Sequence, residues 1–204
     1  MIHSELAIAK DNGIKNDYRV NFELVNSKAY HDKFVGLTEH KALDEALYKQ
    51  AAKMLEHRSG TEYEDIAMLD ARTGKFIVGN DKASGDIKFK CGLRDEQIEK
   101  LNSSGKNFEI LHNHPSSSIP STDDIKWLFK RDKAIGSTII CHNGSIYSLR
   151  KIKALSNPDE VIDTVYNKIK EIYPSWSKEQ VEYVTVKEII NRLEHSGHIK
   201  YIFK

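Results

Sequence analysis

Cysteine, proline, long apolar runs and excess charge are all scarce in this 204-residue chain. Its two cysteines, Cys91 and Cys141, stand fifty positions apart with no CxxC pair. That excludes zinc ribbons and thioredoxin-like chemistry, and it fits two reduced thiols in a cytoplasmic protein. The formal net charge is +1, so no long-range field demands nucleic acid or an acidic membrane as partner. No run approaches the roughly 20 apolar residues of a membrane span. The N-terminal stretch "MIHSELAIAKDNGIKND" is charged early and lacks an apolar core, so neither signal peptide nor anchor is expected there. Apolar residues at 39% and charged residues at 30% are the balance of a globular domain, long enough for one proper core.

Periodicity divides the chain into three expected parts: an irregular arm over 1–17, a mixed domain over 18–152 and a helical extension over 153–204. Within the domain, Val20, Phe22 and Leu24 alternate and predict a strand over 18–26. A short helix is expected over 27–34. A long amphipathic helix over 40–58 carries the stripe Leu43, Ala46, Leu47, Ala51 and Leu55. Apolar runs at 63–70 and 75–80, joined by "ARTG", read as a hairpin. A further strand is expected over 86–92, a helix over 94–105, a strand over 107–114 and a helix over 122–132. Strands over 136–142 and 145–152 meet at Asn143-Gly144, a strong hairpin signal. After Pro158 come two charged amphipathic helices. This order of elements predicts an α/β sandwich around one sheet.

The chemistry concentrates in "ILHNHPSSSIPSTDDIKWL", residues 110–128. In a strand, His112 and His114 project from one face, because side chains repeat every two residues. Pro115 ends the strand. Ser121 and Asp124 have the spacing of a capping box and so open a helix. If the loop folds that helix start back, His112, His114 and Asp124 offer two nitrogens and one oxygen, a set that suits zinc and leaves a position for water. The competing reading is a buried histidine, a loop histidine and an ordinary cap. The Cys141-His142 pair reads as strand residues rather than a nucleophilic dyad, and His142 as exposed at the hairpin. His195 and His198 read as exposed helix-end residues, Trp127 as a packing residue, and 173–176 as a turn between helices.

The set E…HxH…P-S-x-x-D resembles the signature of the JAMM/MPN (JAB-domain) metalloproteases, and "HNHPS" with "PSTDDI" looks like their bacterial and phage branch. The resemblance covers roughly residues 18–152. Segments "NSKAYHDKFVGL" and "HRSGTEYEDIAMLDARTGK" also resemble JAB domains associated with phage head-morphogenesis (Mu F-like) proteins. One departure stands out: six residues, Pro115 to Pro120, separate His114 from Ser121, where the family has seven. The resemblance implies an MPN/JAB, cytidine-deaminase-like α-β-α sandwich around a mixed sheet. It implies zinc on His112, His114 and Asp124, and an upstream glutamate as base. Counting back from Leu69-Asp70 favours Glu62, with Glu64 the alternative. Ser121 is implied as donor to the oxyanion. The expected function is hydrolysis of a peptide or isopeptide bond in a protein or peptide substrate, such as a ubiquitin-like or a phage or mobile-element protein, without nucleic acid or membrane. A non-catalytic binding or assembly module is the alternative.

Overall fold

The computed structural model describes residues 17–82 and 87–204. The arm expected over 1–17 lies outside the described residues apart from Asp17. One six-stranded mixed sheet organises the chain, in the order β2-β1-β3-β4-β5-β6. The strands are β1 (Ile66–Asp70), β2 (Phe76–Asn80), β3 (Phe108–His114), β4 (Ala134–Cys141), β5 (Ile146–Lys151) and β6 (Ile199–Phe203). Only β3 and β4 run parallel; the other neighbours are antiparallel.

Seven helices lie among the described residues: α1 (Phe22–Val25), α2 (Lys28–Asp32), α3 (Lys41–Arg58), α4 (Asp95–Ser103), α5 (Thr122–Phe129), α6 (Pro158–Ile172) and α7 (Lys178–His195). Alternation along the strands feeds two separate apolar layers. Ala67, Leu69, Leu111 and Ile140 pack with Leu43, Leu47, Ala51 and Leu55 of α3. Ile66, Met68 and Ile110 pack with Ile125 and Leu128 of α5 and with α6 and α7. Successive residues of β3 therefore face different helical layers, which later decides what His112, Asn113 and His114 each meet.

Three expectations change. Residues 18–26 form no strand: the Asn21 side chain accepts the Leu24 N–H at 3.1 Å and caps the helical turn α1. A local cap outcompetes a period-2 pattern that has no neighbouring strand to pair with. Residues 87–92 are a loop, in which Phe89 adopts φ +55° and donates its N–H to the Glu62 carbonyl. The C-terminal segment contains its two helices but ends in β6, which pairs with β5. There Tyr201 and Phe203 stack on Tyr147 at 6.3 and 4.9 Å. The segment thus completes the sheet rather than standing beside it.

Candidate metal centre

β3 is buried along its whole length, and it aims His112 and His114 into the α5 layer. Their Nε2 atoms lie 3.1 Å apart. The loop after Pro115 returns the chain to Ser121, the N-cap of α5, despite its six-residue length. The capping box is complete: the Ser121 hydroxyl accepts the Asp124 N–H at 3.2 Å. In return, Asp124 Oδ2 accepts the Ser121 N–H at 2.7 Å and its hydroxyl at 2.8 Å. That double clasp fixes the carboxylate and leaves Oδ1 directed at His112 Nε2, 3.1 Å away. Oδ2 lies 3.4 Å from His114 Nε2.

These separations suit a shared metal ion. Donors at the zinc bond length of roughly 2.0–2.2 Å, arranged tetrahedrally, lie about 3.3–3.6 Å from one another. One ligand atom from each of His112, His114 and Asp124 falls within 4.8 Å of the others. The ring of His114 is also set correctly: Nδ1 is 3.1 Å from the Ser118 carbonyl, which can only accept. Nδ1 therefore donates to that carbonyl and Nε2 is left as the nitrogen that could ligate a metal, the arrangement typical of metal-binding histidines. His112 Nδ1 is buried without a hydrogen-bond partner.

Electrostatics tie the three together. Burial alone would push His114 down, but the hydrogen bond and charge of Asp124 outweigh it and raise the imidazole to about 9. Burial likewise opposes ionisation of Asp124, yet His112 and His114 hold its carboxyl well below the usual range. Such mutual perturbation in a buried cluster makes it a candidate functional site.

The two upstream glutamates separate clearly. Glu62, the residue favoured by counting, pairs with Lys88, and its side chain is 30% exposed. Glu64 is buried. Burial raises its carboxyl, and its charge is felt by His114, His112 and Asp124. The structure brings Glu64, not Glu62, to the cluster. Glu64, and not Glu62, lines a cleft of about 590 Å³ together with His114, Ser121, Asp124, Cys91 and Trp127. Burial pushes the Cys91 thiol up, and the adjacent Glu64 carboxylate adds to the rise.

Behind the centre, on the α3 side, lies a polar network that the sequence did not announce. Asp65 is clasped by Arg58 Nε at 2.6 Å and His57 Nδ1 at 2.7 Å. His142, expected at an exposed hairpin tip, is buried. Its Nδ1 donates to the Tyr18 carbonyl at 2.6 Å and its Nε2 accepts from Asn113 at 3.2 Å. Cys141 is buried at the end of β4 with its thiol pushed up to about 12 by burial, which makes it inert rather than nucleophilic. Trp127 packs partly buried against the α5 layer, with the Arg131 guanidinium 3.1 Å over its ring. Tyr173 and Trp176 stack at 3.8 Å in the turn between α6 and α7.

Compared with known proteins, the chain has no significant match to a family model, a curated protein or a solved structure. No helix among the described residues is long and apolar enough to cross a membrane.

Proposed function

We propose that the chain is a zinc-dependent metallopeptidase or isopeptidase of the JAMM/MPN type, with the MPN/JAB fold, acting on a protein or peptide substrate. One observation carries the reading: His112, His114 and Asp124 converge at ligand spacing, and a buried glutamate, Glu64, lines one cleft with His114 and Asp124 and interacts with the charges of all three. Zinc held by the three would supply Lewis acidity and bring the pKa of water toward neutrality.

The chain's own residues do the rest. Burial raises the Glu64 carboxyl from its ordinary value, against the pull of His114 and His112, the direction that suits a carboxylate meant to take a proton and return it. Glu64 accepts the proton of the attacking water and passes it to the leaving nitrogen. The role favoured for Glu62 from spacing therefore moves to Glu64. The Ser121 hydroxyl donates a hydrogen bond to Asp124 Oδ2 and would exchange that partner for the substrate carbonyl oxygen as charge develops there. Asp124 stays in place meanwhile, because the Ser121 N–H still holds it.

The test is metal analysis of the purified protein together with hydrolysis of peptide and isopeptide-linked ubiquitin-like substrates, with and without a chelator. One zinc per chain and chelator-sensitive cleavage are expected. A protein that binds no zinc overturns the reading and favours a non-catalytic assembly module.

A further inference from the structure

Asn113 stands between the two histidines but points to the other face of β3, where Leu111 meets α3. It is fully buried. The antiparallel ladder between β1 and β3 runs from Asp70 opposite Phe108 to Ile66 opposite His112 and stops there. The chain leading into β1, which carries Glu64, thus lies beyond the last strand pair. Asn113 takes over where the ladder ends. Its Oδ1 accepts the Asp65 N–H at 2.7 Å, and its Nδ2 donates to the Tyr63 carbonyl at 3.2 Å. These are the backbone groups immediately before and after Glu64.

Any buried asparagine must satisfy its amide. Here the choice of partners is informative. The carboxamide cannot be flipped, since that would set its oxygen against the Tyr63 carbonyl and its NH2 against the Asp65 N–H. A second Nδ2 hydrogen bond, to His142 Nε2 at 3.2 Å, locks the side chain from the far side. Asp65 is drawn toward α3 by Arg58 and His57. Alternation then sends the Glu64 side chain the opposite way, onto the face of His112 and His114.

We infer that Asn113 is the positioning residue for Glu64: its carboxamide pins the backbone on both sides of the base to the same strand that carries the two histidine ligands. This rests on the metallopeptidase reading for its consequence in catalysis, though not for its geometry. The backbone around the base is thus tied to the strand that carries the two histidines, so the separation of Glu64 from His112 and His114 does not depend on the loops around them.

The experiment compares wild type, Asn113→Ala, Glu64→Gln and the double variant, each loaded with zinc. Asn113→Ala should keep one zinc per chain and a KM within about twofold. Its kcat should fall at least about 100-fold, the effect of misplacing a reacting group by around 1 Å. In the Glu64→Gln background the same change should cost less than about threefold, because the residue it positions is already disabled. An unchanged kcat in Asn113→Ala, or losses that multiply in the double variant, overturns the inference. Asn113→Ser, which keeps a hydroxyl for one backbone group, serves if the alanine variant does not fold. A crystal structure of the zinc-loaded variant decides the matter without activity. Glu64 should leave the cluster while His112, His114 and Asp124 stay, and a Glu64 still in place refutes the inference. If wild type binds zinc and hydrolyses nothing, the function reading fails, and this structural comparison still judges Asn113.

Discussion

In the proposed centre, zinc would compete with a proton for His114. Without metal, Asp124 raises this imidazole to about 9, so at pH 7 its Nε2 is protonated. That proton stabilises the metal-free fold fully below the unfolded value of about 6.5, and the contribution is lost as pH rises through about 9. Zinc needs the neutral ring. Displacing a proton from a group titrating about two units above the working pH costs about 100-fold in affinity, or about 3 kcal/mol at roughly 1.4 kcal/mol per unit. Apparent zinc affinity should therefore tighten about tenfold per pH unit between pH 6 and 8.5. Calorimetric titration of metal-free protein in two buffers of different ionisation enthalpy should show about one proton released per zinc at pH 7. Affinity flat across that range, or zinc uptake without proton release, would refute the His114–Asp124 pairing as the control on metal binding.

The two glutamates make a clean contrast. Glu64→Gln should cut hydrolysis by about 1,000-fold with zinc content intact, whereas Glu62→Gln, which removes only the partly exposed pair with Lys88, should change it less than about threefold. Steady-state kinetics on both variants check this, and the reverse ranking would return the base to Glu62. Gly136 makes room for a buried ion pair: a Cβ there would sit 2.3 Å from Arg150 Nη1 and 2.6 Å from Glu109 Oε2. Gly136→Ala should therefore cost about 3 kcal/mol in a denaturant titration, the scale of breaking a buried pair. His142 titrates below its ordinary value because it is buried, against a smaller opposing pull from the Tyr18 carbonyl. The unfolded chain thus takes up its proton first, and stability from this group falls as pH drops below about 6.5. Thermal melts from about pH 6.5 to 5, where the His114 contribution is already complete, should show that loss in wild type and a flatter profile in His142→Gln.

Much of the scaffold was legible because it is local. The stripe of α3, the hairpin turn at Asn143-Gly144 and the strand ending at Pro115 each follow from spacing within one element. The failures share a cause as well. Residues 18–26 alternate like a strand, but a strand exists only through a partner, and the Asn21 cap met no such competition. β6 is five residues long and gains its identity from the free edge of β5. His142 looked exposed because it adjoins a turn, yet the Tyr18 segment folds over it.

At the centre itself, the sequence alone determined that His112 and His114 share a face and that Ser121 and Asp124 open a helix. Period-2 alternation and a capping box are properties of a few consecutive residues. Which glutamate joins them was not in the sequence, because Glu62 and Glu64 differ by two and share any strand face. The tertiary structure decided it. The β1–β3 ladder ends at Ile66 opposite His112, and Asn113 holds Tyr63 and Asp65 beside that end. Hydrogen bonds between segments about fifty residues apart set which side chain reaches His112, His114 and Asp124, and no local period carries that information.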